Sequence, residues 1–431
     1  MISPSASTDI SEKDSFLRFF EGNTDFFENF TIWLVDSDII NRKMIFQFPP
    51  DSSALSETAN HIFPSAKNLP DLDDQIFHMA TITPEDGIRI VYSIIFKTSG
   101  QIRFGKDRDL IIPKGTILII AIESKYLHPS TFRSILMHTL NHLPYSGMLI
   151  DELESYIKPS ISIFPDKIEF VGLPFDISSS AELGRFHHFI FSSFKINQVL
   201  NILLFLLSGF SFLVTSVSTT QLSIGCFSLL SLLFPIQWPV IFITVLPEHL
   251  IEYVNSPVPF IIGMPINLMG KAEEIGCKPD VFLNLDFTHV SCQKNVKINS
   301  KYLALIKTVE SLIESELESY RTNLIFPAYK IQIYLWKFIT GAVMITAELT
   351  QTDLDRDDLK DFIAQKILDL SESIPSRIPK NSLQRMLLES PVINHFCNNL
   401  IYNLKQRTPP DFFNVTNDMK SILKSVFKIK K

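Results

Sequence analysis

Residues able to do chemistry are scattered along this chain rather than gathered into a catalytic pattern. Asp36 and Asp38, two apart after the apolar run FTIWLV, suit either a metal ion or the closing of a strand at a turn. His187 and His188 are adjacent, and neighbouring side chains point apart on helix or strand, so a structural role fits them better than one shared metal. Cys226, Cys277, Cys292 and Cys397 are widely spaced, with no CxxC or other zinc interval. No GxxxxGK[ST], GxGxxG, GxSxG or HExxH occurs. The net charge of −7 removes any global basic field for nucleic acid. No residue set here has the spacing of a catalytic, metal or cofactor site, and no metal or cofactor is expected. Met1 is followed by the polar, acidic ISPSASTDISEKD with no apolar core, so no signal peptide is expected. Reduced cysteines and a cytoplasmic location go with that reading.

The elements that must position such a surface are dominated by one feature. Residues 196–247 contain no Asp, Glu, Lys or Arg, in a chain that is 20% charged. A membrane-spanning helix needs about 20 apolar residues in a row. The best window, Val199–Val217, carries Asn201, Ser208, Gly209, Ser211, Thr215 and Ser216 and changes character midway. VLNILLFLL suits a helix, and SFLVTS suits a strand after a Ser-Gly break. Leu222, Cys226, Leu229, Leu230 and Leu233 recur at helical spacing, with Thr219, Thr220 and Gln221 placed to cap that helix and Pro235 to stop it. Trp238–Val245 reads as a strand buried on both faces, and Pro247 as the first-turn proline of a helix. Helix, strand, helix, strand, helix implies a parallel sheet covered by helices, with the uncharged belt as its core.

The rest divides around that belt. Residues 1–19 are expected to be a disordered tail. Residues 20–145 read as an antiparallel sheet with helices: strands at FTIWLV (30–35), MIFQFPP (44–50) and GTILIIAI (115–122), a hairpin over 76–97 and a helix over 129–143. A Pro- and Ser-rich linker covers 146–185. The α/β lobe runs over 186–300 and ends on the strand VFLNLDFTHV. The part from 301 to 410 is helical, with Leu303, Ile306, Val309, Leu312, Ile313 and Leu317 on one stripe and further helices at YLWKFITGAVMI and SLQRMLLESPVINHFCNNLIYNL. In the tail, 411–431, Met419, Ile422, Leu423, Val426 and Phe427 can share a helix face flanked by Lys420, Lys424, Lys428, Lys430 and Lys431. Such a segment is either a solvated last helix or one that lies on anionic lipid at ~1 kcal/mol per lysine.

LLFPIQWPVIFITVLPEHLIEYVNSPVPFIIGMP (232–265) resembles the central signature of the DENN domain family. The matching residues are Pro235, Trp238, Leu246, Pro247, Leu250, Pro257, Pro259, Phe260 and Gly263, with Asp286 closing the later apolar strand. Upstream, FFENFTIWLVDSD with IFQFPPD is similar to the family's opening strand pair, EDGIRIVYSIIFK to its Asp-Gly-x-Arg hairpin, and SKYLHPSTFRSILMHTL to the helix after the fourth strand. The resemblance covers about residues 20–405. It implies a longin-like lobe followed by an α/β lobe with C-terminal helices, the tripartite uDENN-cDENN-dDENN order. It also implies guanine-nucleotide exchange on a Rab-type small GTPase in vesicle trafficking, without catalytic side chains. The alternative is a non-catalytic scaffold that binds a GTPase or a trafficking complex. For the GTPase the candidate contacts are Asp36 and Asp38, which could attract a basic switch segment, and Glu248, His249 and Tyr253. Those three follow Pro247 at a strand's C-terminal edge, where open α/β sheets bind ligands. Arg133 invites comparison with an arginine finger, but a basic residue is ordinary on that helix.

Overall fold

The computed structural model describes residues 27–35, 42–48, 76–82, 89–104, 110–143, 176–177 and 180–401, save for 125, 128, 235, 237, 324–325, 351–352, 354–355 and 357. Asp36, Asp38, Pro235 and the lysine-rich tail therefore lie outside the described residues. The first lobe contains Asn29–Val35 (β1), Arg42–Phe48 (β2), Ile76–Ile82 (β3), Arg89–Lys97 (β4), Ile102–Phe104 (β5), Leu110–Ile112 (β6) and Ile117–Ser124 (β7). Five of these form an antiparallel sheet in the order β2-β1-β7-β4-β3, and β5 pairs with β6. The register Ile82↔Arg89 makes β3 and β4 the hairpin expected over 76–97. Tyr126–Leu127 (β8) pairs in parallel with Asp176–Ile177 (β9). Pro129–His142 (α1) lies on the sheet, with Phe132 stacked on Tyr92 at 4.5 Å.

The second lobe runs through Ser180–Ser193 (α2), Ile196–Leu207 (α3), Phe212–Ser216 (β10), Thr219–Leu233 (α4), Ile241–Ile243 (β11), a 3₁₀ helix at Glu248–Asn255, Phe260–Pro265 (β12), Met269–Glu274 (α5), Val281–Asn284 (β13) and His289–Cys292 (β14). Its sheet has the order β11-β12-β10-β13-β14, with all pairings parallel except β13–β14. A longin-like antiparallel lobe is thus followed by an α/β lobe. Ser300–Asn323 (α6), Ala328–Thr346 (α7), Leu359–Glu372 (α8), Leu383–Leu388 (α9) and Pro391–Ile401 (α10) complete the described chain.

The uncharged belt forms the middle of this lobe. Val199, Leu200, Ile202, Leu203, Leu204, Leu206 and Leu207 of α3 are fully buried, as are Leu222, Cys226, Phe227 and Leu229 of α4. Among the described residues no single helix is long and apolar enough to cross a membrane. Gly184–Ser193 and Ile196–Leu207 pass that test only as a pair bent by 116°. The Ser-Gly break after α3 is a Schellman ending: Gly209 at φ 67 donates to Leu206 O, Phe210 donates to Phe205 O, and the two phenylalanine rings stack at 5.4 Å.

Several expectations are corrected. The strand read over Trp238–Val245 is only Ile241–Ile243, at the sheet edge, with Ile241 and Ile243 half-buried. The Trp238 indole donates to Ile241 O, which fixes the chain just before the strand. Pro247 is the N-cap of a 3₁₀ helix rather than the first-turn residue of an α-helix. Ser218 caps α4 in place of Thr219–Gln221. VFLNLDFTHV is not one strand. It turns after Asn284, whose side chain accepts from Phe287 N, and Thr288 takes φ 50. Helix α2 begins at Ser180, inside the stretch read as linker. On α6, Leu303 is exposed, and Tyr302, Leu305, Ile306, Val309 and Ile313 fill the stripe. The last apolar segment is two helices, because Ser390 accepts at the start of α10 and Pro391 cannot continue α9.

Candidate partner surface

The two lobes meet along their edge strands. Met79 O in β3 accepts from Ser223 Oγ of α4 at 2.8 Å and from Thr244 Oγ1 just after β11 at 3.0 Å. Thr81 Oγ1 donates to Phe242 O at 3.1 Å, and Thr220 Oγ1 donates to Phe77 O. Exposed edge strands invite mispairing. Here side-chain hydroxyls seal the β3 edge against the β11 edge, and one apolar core continues through both lobes.

Beside this joint is an open cleft of about 640 Å³, with β3 and α1 on one wall and α2 and α4 on the other. Phe77, Met79, Met137, Phe186, Phe189 and Ile224 supply apolar lining. Arg133 from the first lobe and Arg185 from the second supply positive charge. Arg133 also lies 5.9 Å from the centroid of the Phe77 ring. His188 is exposed at the cleft, and its Nε2 lies 3.2 Å from Tyr320 Oη. His187 points the other way into full burial, with Nε2 facing Ser231 O at 3.4 Å. Burial pushes the His187 imidazole down to about 4. Sequence reasoning separated the two histidines correctly but did not find the cleft, because its walls are 50 to 150 residues apart in the chain.

A second surface lies at the C-terminal ends of the parallel strands. Glu248, His249 and Tyr253 share the 3₁₀ helix that follows β11. Glu248 is ion-paired with Lys271, so its carboxylate is engaged within the fold. His249 is exposed, and Tyr253 is 46% exposed. Asp286 accepts from Ser216 Oγ at 2.8 Å and from Val217 N at 2.9 Å, tying the turn after β13 to the end of β10. That tie presents Val217 and Phe287 at 74% and 80% exposure. These two apolar residues were missed: each looks like part of a strand until Thr288 and Ser218 show where the chain turns.

Trp238 and Phe260 are each 2% exposed. Pro259 is half-buried before β12. A Cβ on Gly263 would lie 2.0 Å from Thr244 O and 2.9 Å from Cys226 Sγ, so only glycine lets β12 pass this close to its neighbours. Arg89, from the Asp-Gly-x-Arg segment, pairs with Glu28 at 2.7 Å and Glu123 at 3.1 Å, joining β4 to β1 and β7. Burial pushes the Glu123 carboxyl above its ordinary value, while hydrogen bonds from Arg89 and Asn29 pull it back. Among the described residues no group of three or more His, Cys, Asp or Glu is placed to hold a metal ion.

An antiparallel lobe is thus sealed edge to edge against a parallel α/β lobe. The family model for the DENN (AEX-3) domain matches residues 119–287, from within β7 to Phe287. The chain is 41% identical over 56 residues to DENN domain-containing protein 1A of Xenopus laevis, covering 13% of this chain and 6% of that protein. It is 30% identical over 127 residues to DENN domain-containing protein 1B of Mus musculus, covering 30% and 16% respectively. It is also 31% identical over 153 residues to Myotubularin-related protein 5 of Caenorhabditis elegans, covering 34% and 9%. The chain thus spans under a fifth of the length of each of these relatives.

Proposed function

We propose that the protein is a DENN-type guanine-nucleotide exchange factor that promotes GDP release from a Rab-family GTPase in vesicle trafficking. The observation that carries this reading is the DENN match over 119–287, which takes in most of β7 and all of α1 in the first lobe and the second lobe as far as the turn after β13. Proteins of this family regulate GTPases. A GTPase holding nucleotide at nM to pM affinity is stabilised by about 12–16 kcal/mol. A ~10⁴-fold faster release requires about 5.5 kcal/mol of preference for the nucleotide-free, switch-opened form. Contacts over a standard interface of ~1,600 Å² are sufficient for that preference. Rigid, mutually braced lobes support the task, since a yielding wedge would relax instead of opening the switch segments. The contacts assigned to the GTPase are His249 and Tyr253 on the 3₁₀ helix, Glu248 beside them, and Asp36 and Asp38 after β1. Val217 and Phe287 extend this set as exposed apolar anchors. The basic tail from Lys420 to Lys431 is assigned to an anionic membrane surface, which would hold a cytoplasmic factor beside its lipid-anchored GTPase.

The test is release of fluorescent GDP from a panel of purified Rab-type GTPases. Acceleration of one or a few members is expected. No acceleration across the panel overturns exchange. A stable complex with a GTP-loaded member but no acceleration would instead identify a scaffold.

A further inference from the structure

We propose that residues Asp14–Asp25 of this same chain occupy the cleft between the two lobes. The cleft has an apolar lining with a positive residue from each lobe, Arg133 and Arg185. At about 640 Å³ it falls within the range of ordinary ligand pockets, roughly 300–1,000 Å³. Its lining residue Met137 is a half-buried, unbranched side chain that adapts to irregular occupants. Its chemistry suits a short peptide with aromatic anchors and acidic ends.

The segment DSFLRFFEGNTD has that composition: Phe16, Leu17, Phe19 and Phe20 lie between Asp14 and the acids Glu21 and Asp25, with Arg18 as its one base. It precedes Phe27, the first described residue, which is buried in the shared core, and Glu28 N donates to Glu123 O at the end of β7. The chain therefore enters the fold at the end of the sheet where α1 begins, and Pro129, the first residue of α1, lines the cleft. From β1 the sheet crosses β7 and β4 to reach β3, about 14 Å across, and the register sets Phe77 five residues or ~17 Å along the strands from Phe27, so the straight path is ~22 Å. The seven residues from Phe20 to Phe27 span up to ~24 Å when extended. Phe16–Phe20 can therefore reach Phe77 and Met137 without disturbing β1. The arginines need not be unengaged, because each guanidinium carries five donors. This inference does not rest on the exchange reading.

The experiment places photoreactive p-benzoylphenylalanine at Phe20 of the full chain at low micromolar concentration and maps the cross-links by mass spectrometry. Cross-links within one molecule to peptides containing Met79 or Met137 are expected. The double variant Arg133→Glu/Arg185→Glu should lower their yield about tenfold, the loss of roughly two partly screened ion pairs. Adding Asp14→Lys/Glu21→Lys/Asp25→Lys to that variant should restore the yield, which misfolding of the arginine variant could not do. Cross-links that map elsewhere, a covalent dimer, no cross-link at all, or a yield indifferent to these charges would each overturn the proposal.

Discussion

The two sheets handle charge in opposite ways. In the antiparallel lobe, Glu123 sits inside the sheet at 2% exposure and is kept there by Arg89 and Asn29. In the parallel lobe charge is moved to the strand ends. Asp280 accepts from Ser211 N at the start of β10, and Asp286 accepts from Ser216 Oγ and Val217 N at its finish. Two aspartates flanking β13 thereby pin both ends of the neighbouring central strand. A sheet buried on both faces has little room for a solvated carboxylate, so polar ties are confined to its rims. Trp238, Phe260 and Gly263, residues of the DENN-like signature, lie buried in the second lobe. Val217, Tyr253 and Phe287 around them are exposed.

Gly263→Ala gives the largest contrast. Its methyl group would meet the Thr244 carbonyl at 2.0 Å, and backbone cannot swing aside as a long side chain can. A loss of more than about 4 kcal/mol in urea unfolding is expected, at or beyond the upper end of overpacking costs. Gly270→Ala, where no atom lies within 4 Å, should leave stability unchanged or raise it by about 0.5–1 kcal/mol in helix α5. Equal effects at the two glycines would remove the close approach as the reason for Gly263.

The two lobes should also respond oppositely to acid. Arg89→Met leaves Glu123 buried without its main partner and should cost about 3 kcal/mol at pH 7. Because burial already raises the folded-state value of Glu123, protonation relieves the strain. The variant's deficit should therefore shrink as pH falls through that raised value toward the ordinary 4.5. His187 runs the other way. Its folded value of about 4 lies below the ordinary 6.5, so its contribution is complete above pH 6.5 and is lost as pH falls toward 4. Over that window the loss is on the order of 3 kcal/mol. His187→Gln, which does not titrate, should flatten this part of the stability–pH curve; an unchanged slope would assign it to other groups.

Much of this arrangement was legible in the chain. The uncharged belt could be read as core because Asn201, Ser208 and Gly209 interrupt it and its spacing switches between helix and strand. The 76–97 hairpin was legible from its turn residues. Boundaries set by tertiary contacts were not. Ser180–Leu183 looks like linker, but α2 extends there and Gly184 packs near Ala328, where a Cβ would lie at 2.9 Å. Helix α8 lies in the part read as helical but was not singled out, because half of LKDFIAQKILDLSE is polar and its place is set by packing on α10. For the candidate site, the 3₁₀ helix after Pro247 was found from its place after a strand. The cleft and the Val217–Phe287 pair were not, since both depend on segments brought together from afar.

The smallest stability effects are expected where the functional reading is strongest, at the rim. Asp286→Ala removes two hydrogen bonds that hold the β10 and β13 turns together and should cost about 1–3 kcal/mol. Phe287→Ala and Tyr253→Ala remove side chains that are 80% and 46% exposed and should change stability by no more than about 0.5 kcal/mol. Fold and function then separate within a few residues. If the rim receives the GTPase, Phe287→Ala and Tyr253→Ala should each slow stimulated GDP release about tenfold, a loss of ~1.4 kcal/mol in partner binding typical of an interface anchor. Asp286→Ala should combine both losses, since it frees the turn that presents Phe287. Full exchange activity in Phe287→Ala and Tyr253→Ala, beside a strong loss on reversing Arg133 and Arg185, would move the partner from the rim to the cleft. It would also leave the exposed phenylalanine without a role in exchange.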